Sequence, residues 1–246
     1  MMVCPRFLPD FDGGETMSCM FKAGGGLYPR MRLGAILLAA GEAKRMNGVN
    51  KLAVEIQGVP LLKRALFALS GAGVDEVAVV LGHDAERLDA LISAFPVTIV
   101  RNERHRDGQM SSVRAGLAAL QGPFNALLVC PADMPLLNAQ DIQGLIGAFK
   151  KRETGVAVVP RVGGKRGNPI VLDWAAREEI LAGGADFGCR QFIDRNPDRV
   201  TAFDTGNDHY VVDLDSPEDI RALEARLGLK FKLPEVAASV SACLVR

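Results

Sequence analysis

The chain contains no Gly-x-Gly-x-x-Gly dinucleotide fingerprint and no phosphate loop ending in Gly-Lys-Ser/Thr. Those absences count against a nicotinamide oxidoreductase and against an ATPase. Histidine is scarce: His83, His105 and His209 show neither metal-ligand spacing nor a nucleophile triad, and they read as surface or loop residues. The five cysteines (Cys4, Cys19, Cys130, Cys189, Cys243) contain no C-x-x-C pair and no zinc-ligand spacing. An odd count without an export signal points to reduced thiols in the cytoplasm. Charge is balanced, with 29 acidic and 29 basic residues. This argues against a broad electrostatic surface for nucleic acid or anionic membrane, while leaving room for a local basic pocket. No apolar run reaches the roughly 18 residues needed to span a bilayer.

What remains is a soluble α/β composition: 246 residues, 48% hydrophobic and 24% charged, enough for one large, well-filled domain. Residues 1–30 hold Gly13, Gly14 and Gly24 to Gly26 with no sustained periodicity, and no apolar stretch precedes a cleavage site. They read as a flexible N-terminal tail. The domain is expected over 31–228, and 229–246 as a C-terminal tail in which Val236 to Leu244 forms a short helix or strand.

Between the tails, strand-like and helix-like segments alternate, the mark of a parallel sheet covered on both faces. Short apolar runs at Gly34–Ala39, Glu76–Leu81, Val97–Arg101, Ala126–Cys130 and Val156–Pro160 read as buried strands. Helical periodicity appears at Pro60–Gly71, Ala85–Ala94, Ser111–Leu120 and Asn138–Arg152. Regularity fades after Pro160. Strands are expected at Ile170–Leu172, Val200–Phe203 and Tyr210–Leu214, with helices at Trp174–Leu181 and Pro217–Leu227, the latter capped by Ser216. In sheets of this kind ligands sit at the carboxyl ends of the strands.

The most informative segment lies at such an end. The apolar run Leu33 to Ala40 stops at Gly41, and a polar loop with Lys44, Arg45 and Lys51 follows. Ala39, Ala40 and Gly41 allow close approach of a ligand to the backbone. Arg45 and Lys51 supply cations where a triphosphate carries roughly four negative charges. An ordinary strand-to-helix turn with a solvated basic loop fits the same letters.

A second segment, Cys130-Pro131-Ala132-Asp133-Met134-Pro135, brackets one carboxylate with two prolines at a strand tip. An Asp fixed in this way suits Mg²⁺, a hard cation that takes oxygen ligands and bridges phosphates. The plainer alternative is a cap for the helix near Asn138. A third segment, Val212-Asp213-Leu214-Asp215-Ser216-Pro217-Glu218-Asp219, offers a second carboxylate. Strand alternation would place Asp213 and Asp215 on one side. Alternatively, Asp215 and Asp219 only favour a helix N-terminus. Gly108, followed by Ser111 and Ser112, marks a helix start with free N–H groups and hydroxyls, although both serines also suit plain capping.

Leu38-Ala39-Ala40-Gly41-x-x-x-Arg45-Met46, followed by Asn50-Lys51-Leu52, resembles the signature loop of nucleotidyltransferases that activate small molecules with a nucleoside triphosphate. The match is nearest to the molybdenum cofactor cytidylyltransferase family and its relatives that transfer GMP, and it runs from about Leu33 to Leu227. The resemblance implies a Rossmann-like three-layer α/β/α fold with a mostly parallel sheet. It implies phosphate binding by Leu38 to Gly41 with Arg45, Lys51 at the α-phosphate, and Mg²⁺ on Asp133 and Asp215. It places Gly108, Ser111 and Ser112 near the base and sugar. Lys165, Asn168, Asp186 and Arg190 fall at the acceptor's phosphate, although alone these basic, Gly-rich stretches read as solvated hairpins. The implied substrates are CTP and a molybdopterin-type acceptor, and the implied recipient is a molybdenum hydroxylase apoenzyme. Ala40, where GMP-transferring relatives carry glycine, favours the smaller pyrimidine. Ala43 departs from the family's small hydroxyl residue. Another phosphorylated acceptor, or a non-catalytic cofactor-binding chaperone, stays open as an alternative.

Overall fold

The computed structural model describes residues 30–234 except 47 and 186. Asp186 and the segment Val236 to Leu244 therefore lie outside the described residues, as does nearly all of the expected N-terminal tail. In chain order the strands are β1 (Leu33–Ala39), β2 (Glu55–Ile56), β3 (Val59–Pro60), β4 (Glu76–Leu81), β5 (Thr98–Arg101), β6 (Ala126–Pro131), β7 (Ala157–Val162), β8 (Lys165–Arg166), β9 (Ile170–Asp173), β10 (Val200–Asp204) and β11 (Phe231–Lys232). The α-helices are α1 (Leu61–Gly71), α2 (Ala85–Ile92), α3 (Gln109–Ala119), α4 (Ala139–Lys151), α5 (Ala176–Ala182), α6 (Cys189–Arg195) and α7 (Pro217–Leu227).

The main sheet runs β10-β7-β9-β6-β1-β4-β5, with β8 hairpinned onto β7. Strands β5, β4, β1 and β6 are mutually parallel, and β10 is parallel to β7. Strand β9 is antiparallel to both of its neighbours. Successive residues of β1 point to opposite faces: Ala35, Leu37 and Ala39 join one buried cluster, Ile36 and Ala40 the other. The first cluster takes side chains from α1, α2, α4 and α7, and the second from α3, α5 and α6. This is a three-layer α/β/α fold with a mostly parallel, Rossmann-like sheet, as expected.

Helix α1 buries the expected stripe of Leu61, Leu62, Ala65, Leu66 and Leu69. Helix α4 begins with a capping box between Asn138 and Asp141, and α7 with one between Ser216 and Asp219, Pro217 following at the first helical position. A small antiparallel sheet β11-β2-β3 lies apart from the main one. Phe231 and Lys232, assigned from sequence to the C-terminal tail, pair there with Ile56 and Glu55, so the folded domain passes residue 228.

The expected strand at Tyr210–Leu214 does not form. Asp208–Tyr210 is a 3₁₀ turn and an irregular stretch follows. Side-chain anchors displaced the sheet pairing. Asn207 Nδ2 donates to Asp141 Oδ1 at 2.6 Å, His209 Nδ1 lies 2.9 Å from Asp141 Oδ2, and the Tyr210 hydroxyl donates to the Asp141 carbonyl at 2.6 Å. No strand alternation therefore orders Asp213 and Asp215.

Candidate active site

Asp133 stands two residues past the carboxyl end of β6, between Pro131 and Pro135. Backbone bonds fix it there: Ala132 N donates to the Leu38 carbonyl at 3.0 Å, and Leu214 N to the carbonyl of Asp133 itself at 2.9 Å. The second bond brings the irregular stretch ending at Asp215 against the strand tip. Lys51 opens the 3₁₀ turn Lys51–Ala53, where the Asn50 side chain accepts from Leu52 N and donates to Asp84.

These anchors converge on one ammonium. Lys51 Nζ lies 2.5 Å from Asp133 Oδ2 and 2.6 Å from Asp215 Oδ1. Arg45 reaches Asp215 Oδ2 from the opposite, exposed side. Lys51 is 9% exposed. Burial acts to lower its pKa, but the charges and hydrogen bonds of Asp133 and Asp215 outweigh that and hold it above the ordinary value. Asp213 is pushed up, first by burial and then by the negative charges of Asp215 and Asp133. Asp219, which the sequence offered as a cap, is one: its carboxylate accepts from the backbone N–H groups of Asp215 and Ser216. Burial opposes its ionisation, yet those bonds hold its carboxyl below the usual range.

Sequence reasoning thus named all four members of the cluster, Arg45, Lys51, Asp133 and Asp215, and the fold brings them together. It missed the support: Asp141, Asn207, His209 and Tyr210, which hold the stretch leading to Asp215. Asn138-x-x-Asp141 is legible as a capping box, but its partners lie 66 to 69 residues away, beyond any local signal.

Two cavities open at the carboxyl ends of the same strands. One, of about 540 Å³, is bounded by Ala40, Gly41, Glu42, His105 and Gly108. A Cβ placed on Gly41 meets nothing within 4 Å. The protein's own packing does not demand glycine there, and Gly41 lines the cavity. Gly108 has φ +103° and precedes α3. The serines behind it turn to the loop. Ser111 Oγ donates to the carbonyls of Arg104 and Gly108, and Asn102 Nδ2 donates to both Ser111 and the buried Ser112. The expected display of free hydroxyls is corrected: they shape the loop.

The second cavity, of about 620 Å³, opens beside the ends of β1 and β6 at Leu38 and Pro131. Arg166, Asn168, Arg190 and Asp194 form part of its polar wall, and Met110, Ile170 and Ile193 part of its apolar one. Arg166 lies 2.8 Å from Asp194, and Arg190 3.9 Å. Lys165 is corrected: it pairs with Val162 in the β7–β8 hairpin and is exposed, and Arg166 beside it takes the cavity wall. Cys189, also in the wall, is buried, and burial pushes its thiol up to about 12, which suits packing and not nucleophilic attack. All three histidines lie in loops or short 3₁₀ turns, as expected, and His83 is exposed. His209 is held by Asp141, and His105 is largely buried with Nε2 3.8 Å from Glu42.

Residues 35–200 match the family described as the MobA-like NTP transferase domain. The chain belongs to the MobA-like NTP transferase family. As a member it is a nucleotidyltransferase, in line with the signature loop. It is 30% identical over 194 residues to nicotine blue oxidoreductase of Paenarthrobacter nicotinovorans, covering 76% of this chain and 94% of that one. It is 31% identical over 144 residues to molybdenum cofactor guanylyltransferase of Shewanella sediminis, covering 58% and 68%. The bifunctional GlmU protein of Syntrophomonas wolfei matches over 28% of its length. Among solved structures, a nucleotidyl transferase from a Methanothermobacter superposes with a TM-score of 0.67 at 20% identity, covering 79% of this chain and 97% of that chain, a likeness of fold. No helix among the described residues is long and apolar enough to cross a membrane.

Proposed function

We propose that this nucleotidyltransferase transfers CMP from CTP to the phosphate of a molybdenum-bearing, molybdopterin-type acceptor and releases pyrophosphate. The observation that carries the reading is Lys51 shared between Asp133 and Asp215 at the ends of β1 and β6, with Arg45 beside them. An acceptor phosphate oxygen is already a nucleophile at neutral pH. The protein's task is in-line placement and neutralisation of charge in the transition state.

Backbone N–H groups around Ala40 and Gly41, with Arg45, would hold the departing β and γ phosphates. Lys51 would leave the two carboxylates for the α-phosphate as the nucleotide enters. Asp133 and Asp215 fit Mg²⁺ by the chemistry of the donor set: two hard carboxylates already converge on one cation. When bound, Mg²⁺ supplies charge neutralisation on the phosphate oxygens. The cavity at Arg166, Asn168 and Arg190 falls within the size range of small-molecule sites and offers cations to an anionic acceptor. The methyl of Ala40 on the wall of the other cavity supports a pyrimidine over guanine.

The test is pyrophosphate release with Mg²⁺ and molybdenum-loaded molybdopterin, comparing CTP, GTP, ATP and UTP. Release with CTP alone supports base and acceptor together. Release with GTP alone overturns the base assignment, and release only with other phosphorylated acceptors overturns the acceptor. The relative named as an oxidoreductase favours a second reading, redox chemistry on this scaffold. Consumption of a reduced nicotinamide, with no pyrophosphate from any pairing, would establish it.

A further inference from the structure

Away from the Lys51 cluster, the loops that follow β1, β4 and β5 bring Glu42, His83 and His105 together. One ligand atom from each lies within 4.8 Å of the others. His105 Nδ1 lies 3.1 Å from the backbone carbonyl of Asn102. A carbonyl can only accept, so Nδ1 donates to it, and in the neutral ring Nε2 keeps its lone pair. That Nε2 is buried and has no hydrogen-bond partner. Glu42 Oε1 stands 3.8 Å away, too far for a hydrogen bond. The ring nitrogen and the carboxylate thus face each other across a gap with no hydrogen bond between them.

We propose that Glu42, His83 and His105 bind a zinc-class divalent cation, at a site separate from Asp133 and Asp215. The donor set of two imidazoles and one carboxylate suits Zn²⁺ and its first-row neighbours, whereas Mg²⁺ prefers all-oxygen ligands. An imidazole whose far nitrogen is tied to a carbonyl is the usual arrangement of a metal-binding histidine. Ligand atoms around a tetrahedral ion with bonds near 2.0 Å stand about 3.3 Å apart, so the 3.8 Å gap closes with a small shift. His83 is exposed and can complete the set. Glu42 is now paired with Lys44 and Arg106, whose side chains are 83% and 79% exposed and free to swing into solvent. A bound ion would tie together three loops at the carboxyl end of the sheet.

The experiment uses the full chain stripped of metal, titrated with Zn²⁺ against a chromogenic chelator and with Co²⁺ by visible absorption. With excess Mg²⁺ present to hold Asp133 and Asp215, one ion per chain is expected. His83→Ala and Glu42→Gln should each weaken affinity at least about tenfold, while Asp133→Asn leaves it unchanged. Equal affinity in the parent and both variants would place the ion elsewhere, for example on cysteines, and overturn the proposal. So would loss of binding in Asp133→Asn, or no uptake together with ¹⁵N shifts showing a proton on His105 Nε2. The readout is binding, so it stands or falls independently of the transfer reaction.

Discussion

Asp133 leaves a buried strand that is paired on both sides, β1 on one and β9 on the other, and two prolines bracket it. Asp215 ends an irregular stretch with no strand neighbours, held by Asp141 through Asn207, His209 and Tyr210 and by one backbone bond to Asp133. Both carboxylates meet the same ammonium. Backbone pairing delivers the first at no cost beyond the fold itself. The second depends on a few side-chain bonds in a partly buried setting, where each bond counts and each can be removed singly.

The comparison is tested first at the carboxylates themselves. Asp133→Asn should lower pyrophosphate release about 10² to 10³-fold, with a thermal midpoint close to the parent's, because the strand is held by its backbone. Asp215→Asn should fall in the same range. A normal rate in Asp133→Asn with Mg²⁺ would sink the metal assignment.

Asp141→Ala comes next and should separate the two routes. It removes the α4 capping box and the bonds to Asn207 and His209, costing about 3 kcal/mol in urea unfolding. The rate should drop as well, since a misplacement of about 1 Å can cost as much as about 10²-fold. Full activity in the folded variant would show that the backbone bonds of Leu214 to Asp133 and of Asn168 to Tyr210, with Asp219 on the N–H of Asp215, position Asp215 without Asp141.

Alkaline pH probes the same support. Burial pushes Cys130, Cys189 and Tyr210 each up to about 12, the charge of Asp141 adding to the effect at Tyr210. Their ordinary values are 9.0 for the thiols and 10.0 for the phenol. The unfolded chain loses these protons first, so their contribution is intact below pH 9.0 and is lost as pH rises toward about 12. Tyr210→Phe should cost about 1 kcal/mol at neutral pH and make the decline in thermal midpoint shallower above pH 10.0. An unchanged slope would mean that the phenol is not protected in the fold.

The same contrast explains what could be read in advance. Strands β1, β4 and β6 follow from apolar runs because both of their faces are buried, whereas β5, read from the same kind of run as a buried strand, is the sheet's edge and only partly covered. The Asp133 segment follows because prolines and a strand tip act locally. Strand β9, antiparallel in an otherwise parallel neighbourhood, has the same apolar letters, and letters alone do not give direction. The stretch Tyr210–Leu214 read as a strand because Tyr210, Val211, Val212 and Leu214 suit one. What overrode that preference was Asp141, distant in sequence. The meeting of His83 and His105 with Glu42 was hidden for a related reason: three loops of unrelated spacing are joined only by the sheet order.

The smallest effect belongs to the loop that delivers Arg45 to Asp215. Ala43 has φ +46°, a conformation that costs an L-residue about 1 kcal/mol or more, and it is the position where the family resemblance implies a hydroxyl. Ala43→Gly relieves that strain but enlarges the freedom of the unfolded chain by about 0.4 to 1 kcal/mol. The two terms nearly cancel, and urea unfolding should change by less than about 1 kcal/mol. The transfer rate should respond more clearly than stability, because a looser backbone at residue 43 widens the range of positions open to Arg45. A rate unchanged to within the error of the assay would show that Asp215, and not the backbone of its own loop, fixes the guanidinium.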